Sequence, residues 1–393
     1  MTFRETLYLD HQSTTPVDED VFRKMSPFFT ALAGNPHSSD HAVGWESSRI
    51  VDSAVSNIAG LIGADPDEIV LTSGATESNN LALLGSANKR TNNNRRRILI
   101  SAIEHKSVLA VGRVLEEKLG YVIEIIPVDR EGRVIPSQLA SMLADDVFLV
   151  STMAVNNEIG TIQDVSAIAE LVHDAGALFH CDAAQAPAAM NMSSLATYAD
   201  LISLSAHKMY GPQGIGALFV GRDIQTSIEP LIYGGGQQNG LRSGTLPLPL
   251  CVGMGAAAAM FRTEDVEVKR EQMRQLRDKF VEGLQLLPWR ITENGPKRSR
   301  RHPGNANIRF EGFYAQDILQ SLQPHLAAST GSACTTGIPE PSHVLKAIGL
   351  TNAESESSIR FSLGFSTTDA DILRAVQLVG DALERLSETA RSA

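Results

Sequence analysis

A chain of 393 residues that is 43% hydrophobic can bury more than one core, so we expect a globular protein of two domains. Its formal net charge of −11 excludes a dedicated nucleic-acid-binding protein, which would need a dense basic surface. The three cysteines form no C-x-x-C pair, and no apolar stretch resembles a signal peptide or a membrane span. We therefore predict a cytoplasmic protein without disulfides, a resident metal site or membrane contact.

Strand-like and helix-like segments alternate between about residues 46 and 260. The predicted strands are 69–72, 97–101, 122–126, 147–151, 178–181, 201–204 and 217–220, and the predicted helices include 76–89, 106–119 and 165–175. This alternation predicts an α/β fold with a largely parallel sheet and helices on both faces. Ligands on such sheets bind at the carboxyl ends of the strands.

The pattern changes after residue 260. We predict a long amphipathic helix at 261–287, short strands at 307–310, 327–328 and 359–362, and a closing helix at 369–386. This is the pattern of a smaller α+β unit. The predicted organisation is a large cofactor-binding domain at 17–260 and a small domain made of 1–16 and 261–393.

Two runs of basic residues, at 89–97 and 297–301, stand in stretches rich in Asn, Ser, Gly and Pro. We predict that both lie in solvated loops, and a docking patch for an acidic partner is the alternative. The stretch 296–303 is the best candidate for a surface loop in the second half of the chain.

Lys208 stands between a predicted buried strand and the glycine-rich turn 211–216. A lysine at such a place can lose its proton by desolvation, and its neutral amine can form a Schiff base with an aldehyde. Pyridoxal phosphate (PLP) is the natural aldehyde, and the neighbouring Ser205 and His207 could hold its phosphate. A surface lysine at a strand end is the alternative.

Two other strand ends carry groups that suit a phosphorylated ring. Ala75 and Thr76 begin a helix, whose free N–H groups bind anions, although an ordinary N-cap has the same pattern. His105 follows the strand 97–101 and could stack on a flat ring and transfer protons near neutral pH. A structural histidine is the alternative there.

Three polar residues follow the next strands. Asp182 could keep a pyridine nitrogen protonated, which makes PLP an electron sink. Gln185 could donate a hydrogen bond to the phenolic oxygen of the ring, and Asn156 could do similar work. Polar residues at strand ends also cap loops, so each residue alone is weak support.

Two residues of the second half could act on a substrate. Arg360 has apolar neighbours and needs a bidentate partner, either a substrate carboxylate or an internal ion pair. Cys334 lies in 329–341, a segment of small residues, glycines and prolines that predicts a mobile surface loop. Because free cysteine is normally buried, this position favours a reactive thiol. Cys181 and Cys251 lie in apolar segments and are predicted to be structural.

Taken together, these motifs resemble the cysteine desulfurases of the class V aminotransferase family, which are PLP enzymes of fold type I. The matching segments are Tyr8-Leu-Asp10, Thr14-Thr-Pro16, Gly34-Asn-Pro-His-Ser38, Thr72-Ser-Gly-Ala-Thr-Glu-Ser78, Glu104-His105-Lys, Val155-Asn-Asn-Glu-Ile-Gly160, His180-Cys-Asp-Ala-Ala-Gln185, Ser205-Ala-His-Lys208, Arg242-Ser-Gly-Thr245 and Gly331-Ser-Ala-Cys334. They run in order along almost the whole chain. Two positions depart from the common pattern, Ala206 and Phe365.

The resemblance implies a role for each candidate at the cofactor. Lys208 would hold PLP covalently, and its phosphate would meet a set of small polar groups: Ala75, Thr76, Ser205, His207 and Thr245 of the partner subunit. His105 would stack on the ring, Asp182 would pair with its nitrogen, and Gln185 would bond its phenolic oxygen. A homodimer follows, because Thr245 is expected to complete the site of the other protomer.

The resemblance also implies the reaction. L-cysteine would become L-alanine, with Asn156 and Arg360 holding the substrate carboxylate and Lys208 moving the α-proton. His105 would exchange a proton with the substrate thiol, and Cys334 would capture the sulfur as a persulfide. The length of 329–341 resembles the branch of the family with extended cysteine loops, in which Cys334 could also be a transient iron–sulfur ligand.

The implied partner is a sulfur-acceptor protein, either an iron–sulfur scaffold or a carrier for tRNA or other thiolation, with no direct contact to nucleic acid. Another class V enzyme, an aminotransferase or a selenocysteine lyase, is the alternative. Cys334 discriminates, because a transaminase has no need of it. A catalytically silent interaction protein is a third hypothesis, against which Lys208, His105 and Asp182 argue.

Overall fold

The computed structural model describes residues 6–88, 95–331 and 341–392. Within these ranges the strands are β1 (Leu7–Tyr8), β2 (Ile69–Thr72), β3 (Arg97–Ser101), β4 (Val122–Ile126), β5 (Val147–Met153), β6 (Leu178–Asp182), β7 (Leu201–Ser205), β8 (Gly216–Val220), β9 (Ile291–Glu293), β10 (Asn305–Phe310), β11 (Leu326–Ala327) and β12 (Ser358–Ser362).

The α-helices in the same ranges are α1 (Glu19–Met25), α2 (Ala42–Ile62), α3 (Ala75–Asn80), α4 (Ser86–Asn88), α5 (Lys106–Leu119), α6 (Pro136–Met142), α7 (Val165–Asp174), α8 (Leu248–Met260), α9 (Asp265–Gln285), α10 (Ala315–Ser321), α11 (His343–Ala347), α12 (Asn352–Glu356) and α13 (Asp369–Ser392). A π-helical turn, Leu81–Gly85, joins α3 to α4. None of the helices in the described ranges is long and apolar enough to cross a membrane.

The largest sheet has seven strands in the order β2-β8-β7-β6-β5-β3-β4. All neighbours are parallel except β8, which is antiparallel to both β2 and β7. Every residue of β6 except Leu178 and every residue of β7 and β8 is buried, as expected of strands covered on both faces. The predicted α/β fold with a mostly parallel sheet is confirmed.

Helices cover both faces of this sheet, and alternate residues of a strand point to opposite faces. Leu99 of β3 packs in one core with Ile58 of α2 and Met254 of α8. Its neighbours Ile98 and Ile100 pack on the other face, in a core that includes Val108 and Leu115 of α5. Gly112 of α5 lies against Ile100, where an added Cβ would meet the Ile100 Cδ1 at 2.8 Å.

A second sheet, antiparallel in the order β12-β10-β9, packs on α9, α10 and α13. Its core includes Phe280, Ile308, Phe361 and Val379. The amino-terminal strand β1 pairs with β11, and Leu9 packs in the same core. Residues 7–9 therefore pack with the carboxyl-terminal part of the chain, whereas the predicted domain limits stay a prediction.

Three local predictions needed correction. The helix predicted at 261–287 begins at Asp265, because α8 ends at Met260 and a turn separates the two helices. The helix predicted at 76–89 begins at Ala75 and contains the π-helical turn. The basic run 297–301 is only partly a solvated loop, because Arg301 is 2% exposed. Its guanidinium donates to the carbonyls of Asn294, Pro296 and Ile159. Buried carbonyl groups need hydrogen-bond donors, and Arg301 provides them here.

Candidate active site

A cavity of about 650 Å³ opens where β3, β5, β6 and β7 end. The sheet provides one wall, which we call the sheet wall: Ser73, Gly74, Ala75, Thr76, Glu77, His105, Lys106, Met153, Asn157, Glu158, Asp182, Ala184, Gln185, Ser205, His207, Lys208, Gln213 and Gly214. Segments distant in sequence provide the facing wall: Gln12, Ser13, Thr14, Ser329, Gly331, His343 and Arg360. The volume suits a small cofactor with a small substrate.

Lys208 ends the short turn that follows β7 and reaches into the cavity. Its Nζ donates to the carbonyl oxygens of Gln12 and Ser13, at 2.5 Å each. Burial lowers the pKa of Lys208 to about 8, and the charge of Arg360 acts in the same direction. A usable fraction of the amine is therefore neutral near pH 7 to 8, as a nucleophilic lysine requires.

The start of α3 forms one end of the cavity. Gly74 at the N-cap has φ 149°, a conformation that favours glycine, and no side chain caps the helix. The N–H groups of Ala75 and Thr76 lie among the first, unpaired donors of this helix, and both residues line the cavity. A Cβ built on Gly74 would have the Ser205 Oγ as its nearest neighbour, at 3.8 Å, so the two residues face a common space.

His207 and Arg242 determine the charge at the end of the cavity formed by the start of α3. Burial and then the charge of Lys208 lower the pKa of His207 to about 4, so its imidazole is neutral near pH 7 and can donate one N–H. Its Nδ1 lies 3.1 Å from the Thr14 Oγ1. Glu77 in the first turn of α3 is ion-paired with Arg242, Nε to Oε1 at 2.8 Å, which neutralises the one acidic side chain of that turn. The donor set suits a phosphate dianion.

Asp182 ends β6 with 4% of its surface exposed. Its Oδ2 accepts from the Asn79 Nδ2 at 2.8 Å and its Oδ1 accepts from the Ala184 N–H at 3.0 Å. Burial and then the charge of Asp182 raise the pKa of Glu104 well above its usual range. Asp182 therefore lies at the cavity wall with a second acidic side chain, Glu104, buried close behind it.

His105 is the N-cap of α5, and its ring is exposed at the cavity wall. Its Nδ1 accepts from the Ser107 N–H at 3.1 Å, so in the neutral ring Nε2 carries the proton. Desolvation inside the cavity lowers the pKa of His105, although Asp182 opposes the shift. Nearby, the Gln185 Nε2 donates to the Gln12 carbonyl at 2.9 Å.

Arg360 lies on β12 and is 3% exposed. Its NH2 donates to the Asp10 carboxylate at 2.7 Å, the Ser329 Oγ at 2.8 Å and the Ser13 Oγ at 3.0 Å. Its NH1 donates to the Asn157 carbonyl at 2.7 Å. The two alternatives for Arg360 thus coincide: the residue has an internal ion pair and also lines the cavity. Its contact with a substrate carboxylate stays a prediction.

Asn156 and Thr245 do not line this cavity. Asn156 is fully buried: its Nδ2 donates to the Ile103 carbonyl at 2.9 Å, and its Oδ1 accepts the N–H groups of Glu158 and Ile159. Its contact with the cofactor and the substrate carboxylate stays a prediction. Thr245 is exposed and belongs to no wall of its own chain's cavity. Cys334 lies outside the described residues.

The sequence reasoning missed the residues that hold the predicted ones. Asn79 faces Asp182, Asp10 faces Arg360, and Gln12 accepts from Lys208 and Gln185. Asn79 lies one helical turn after Ala75, and this spacing could have indicated that it faces the same site. Asp10 and Arg360 are 350 positions apart, and no local pattern connects them.

The arrangement fits PLP on the chemistry of its donors. A lysine amine, a helix start with a hydroxyl and a neutral imidazole, and a buried carboxyl group match an aldehyde, a phosphate and a pyridine nitrogen, respectively. When bound, PLP supplies an electron sink for a carbanion on the substrate. Lys208, Ala75, Thr76, Ser205, His207 and Asp182 would hold it.

Comparison with known proteins gives the family. The description "Aminotransferase class-V" matches residues 7–374. Cysteine desulfurase IscS of Neisseria meningitidis serogroup C is 41% identical over 388 residues, covering 99% of this chain and 95% of that protein. A solved structure titled as a NifS-like protein has a TM-score of 0.88 at 32% identity and covers 96% of this chain and 99% of its own.

A second solved structure, "SspA in complex with cysteine", has a TM-score of 0.79 at 34% identity and covers 91% of this chain and 98% of its own. The resemblance drawn from the motifs is confirmed by these matches. The predicted PLP cofactor is confirmed as a property of the family. The chain belongs to the class V aminotransferases and, within that PLP-dependent family, to the cysteine desulfurases.

Proposed function

We propose that this protein is a PLP-dependent cysteine desulfurase, which converts L-cysteine to L-alanine and captures the sulfur as a persulfide on Cys334. The observation that carries the proposal is the single cavity in which Lys208, Asp182 and Arg360 meet. Similarity over 99% of the chain to a cysteine desulfurase supports the same substrate and product.

Lys208 has two tasks in this proposal. It holds the cofactor covalently, and after the substrate has displaced it, its Nζ takes the α-proton of the substrate. The pKa of about 8 supports both tasks, because a neutral amine is needed to attack an aldehyde and to accept a proton. The carbonyls of Gln12 and Ser13 hold the Nζ at the cavity wall between these events.

Arg360 orients the substrate. Its NH2 is fully used by Asp10, Ser13 and Ser329, so the guanidinium plane is fixed before a substrate arrives. Within the described part of the chain its Nε has no hydrogen-bond partner. The remaining NH1 proton is the donor left for a substrate carboxylate, because the Nε is buried and its N–H lies on the opposite side of the guanidinium from NH1. Asn156 is the proposed second contact of that carboxylate.

The sulfur step needs a thiolate and a proton carrier. The Cys334 thiolate attacks the substrate sulfur, and an S–S bond forms as the substrate C–S bond breaks. The electron pair of that bond stays on the β-carbon, which takes up a proton equal to the one that the Cys334 thiol gave up, and with a proton returned to the α-carbon the remainder leaves as alanine. The His105 Nε2–H donates a hydrogen bond to the substrate sulfur, because Nδ1 accepts from the Ser107 N–H. Keeping the sulfur covalently bound prevents its loss as free sulfide.

The test is a single turnover without reductant. Wild type should form about one alanine per chain and carry a persulfide on Cys334, identified by mass spectrometry. Cys334→Ala should lose alanine formation yet keep the cofactor absorbance band. Cys251→Ala, which removes a buried thiol of α8, is the matched control and should keep both. Unchanged alanine formation in Cys334→Ala would refute the persulfide route and favour another class V activity, such as that of a selenocysteine lyase.

We further propose a homodimer in the cytoplasm that passes its sulfur to an iron–sulfur scaffold or a thiolation carrier. Exposed Thr245 supports the dimer, since it lies outside its own cavity. Exposed apolar side chains between residues 22 and 45 support it as well: Phe22, Phe29, Leu32, Val43 and Trp45. Analytical ultracentrifugation tests the dimer, and an active monomer would refute it.

A further inference from the structure

Gln238 lies at the edge of the large sheet, beside the strand that leads into the cavity. β2 is the first strand in the order of that sheet, so among the described residues no strand pairs with its outer side. The Gln238 Oε1 accepts from the Leu71 N–H at 2.6 Å, and its Nε2 donates to the Leu71 carbonyl at 3.0 Å. One amide side chain therefore gives Leu71 the pair of hydrogen bonds that a neighbouring strand would provide.

The backbone around Gln238 has an uncommon conformation. The φ of Gln238 is +52°, in the left-handed region that favours glycine, and other residues stay there only where their surroundings fix them. Here the Gln238 Nε2 also donates to the Arg242 carbonyl at 3.3 Å, and the Gln237 Oε1 accepts from the Gly244 N–H at 2.8 Å. The loop 237–244 is thus closed by its own side chains and presents the Gln238 amide to β2.

The same loop also holds the helix that begins beyond β2. The Arg242 Nε donates to the Glu77 Oε1 at 2.8 Å, and the Glu77 Oε2 accepts from the Ser73 N–H at 2.7 Å. The side chains of Arg242 and Glu77 are only 19% and 15% exposed, so water competes little for their ion pair. The turn 73–76, which lines the cavity, is therefore held by the loop 237–244 on both sides, from the strand and from the helix.

We propose that Gln238 is a positioning residue for the phosphate of the cofactor. By fixing the end of β2, it orients the turn 73–76 so that the N–H groups of Ala75 and Thr76 are directed at the phosphate. This inference rests on the proposed function, with the cofactor phosphate at the start of α3. Hydrogen bonds weaken steeply when they are misaligned, so donors that are already oriented bind an anion more tightly than donors that must first be ordered. Gln238 is not among the residues that line the cavity, and it acts through the backbone of β2.

The test compares two aldehydes on the cofactor-free protein: PLP and pyridoxal, which lacks the phosphate. Gln238→Met removes the donor and the acceptor from a side chain of similar length. It should raise the Kd of PLP about tenfold, because misaligned donors lose part of their bonds to a charged group, and leave the Kd of pyridoxal unchanged. Absorbance titration measures both constants. An unchanged Kd of PLP would overturn the proposal, and so would an equal rise for both aldehydes, which indicates a merely structural role.

Gln225→Met is the matched control. The Gln225 Nε2 donates to the carbonyls of Asp67 and Val220, at 2.8 and 3.3 Å, so it also bonds two backbone groups, but at the end of β8 away from the cavity. It should leave both dissociation constants unchanged. If Gln225→Met raised the Kd of PLP as much as Gln238→Met, the effect would not depend on the turn 73–76 and the proposal would fail.

Gln238→Asn serves if Gln238→Met does not fold. Asparagine suits a positive φ, but its side chain is one methylene shorter and cannot reach both backbone atoms of Leu71. It should therefore weaken the binding of PLP and not that of pyridoxal, and a wild-type Kd of PLP in Gln238→Asn would contradict the proposal. Wild type that binds PLP no more tightly than pyridoxal would instead refute the phosphate site of the proposed function.

Discussion

The two walls of the cavity are built in different ways. On the sheet wall, Asp182, Ser205 and Lys208 each stand at or just after the end of a buried strand, so the sheet determines where their backbones lie. On the facing wall, Arg360 is held by Asp10 and Ser329, across separations of 350 and 31 residues. The first wall depends on local order and the second on long-range pairing.

The difference between the walls parallels a division of tasks between cofactor binding and substrate handling. The sheet wall holds the groups that suit a tightly bound cofactor, where little movement is needed. The facing wall holds the groups that would meet substrate and sulfur, which must come and go at each turnover. A wall assembled from distant segments can be adjusted without disturbing the parallel strands that bind the cofactor.

The largest effect is expected on the sheet wall. Lys208→Ala should abolish alanine formation and remove the covalent cofactor band, because it removes the amine that Gln12 and Ser13 hold in the cavity. Absorbance spectroscopy after addition of PLP, together with an alanine assay, measures both effects. Lys279→Ala on the exposed face of α9 is the control and should behave as wild type. A persistent, reducible cofactor band in Lys208→Ala would contradict the assignment.

On the facing wall, a large effect on stability is expected from Asp10→Ala. It removes the partner of Arg360, whose side chain is 3% exposed, and leaves a buried charge uncompensated. We expect the free energy of unfolding in urea to fall by about 3 kcal/mol. Asp65→Ala is the matched control, because its pair with Arg222 is exposed on both sides and its loss should lower the free energy of unfolding much less. Equal losses of unfolding free energy in the two variants would contradict the prediction that the buried ion pair contributes more than the exposed one.

The same contrast explains what could be predicted from the sequence. The sheet, its helices and the residues at the strand ends were predictable because hydrophobic runs, turn residues and motif order are local signals. That Asn156 follows a strand is a local signal, whereas the bonds its amide oxygen accepts in the tight turn to Ile159 are not visible in the sequence. Arg301 was read as solvated, yet buried carbonyls bind it. Buried backbone groups that need hydrogen-bond partners arise only when segments distant in sequence pack together.

The amine of Lys208 should show its environment in a pH profile. Since burial lowers its pKa to about 8, the rate of PLP uptake by the cofactor-free protein should rise with pH and level off above about pH 8. Only the neutral amine attacks the aldehyde, so the rate at pH 7 should be about a tenth of the plateau. Stopped-flow absorbance between pH 6 and 10.5 measures this. A rate that keeps rising to pH 10 would indicate an ordinary, solvated lysine.

The smallest effect is expected behind the sheet wall, at Asn79. Its Nδ2 donates to the Asp182 Oδ2 at 2.8 Å and also to the Ser107 Oγ at 2.9 Å, and the residue is fully buried. Asn79→Ala should leave the cofactor bound but lower kcat severalfold, corresponding to roughly 1 kcal/mol, the usual net contribution of one hydrogen bond. With Asp182 paired to the ring nitrogen, as we predict, the cofactor absorbance maximum should also shift.

Asn80→Ala is the matched control for that change. Asn80 is the next residue of α3, and its Nδ2 donates only to the Thr76 carbonyl, at 2.8 Å within the described contacts. A general loosening of α3 would lower the activity of both variants and leave both spectra alike. A shifted spectrum in Asn79→Ala alone would instead show that Asn79 acts through Asp182, so that the rigid wall extends one layer beyond the residues that line the cavity.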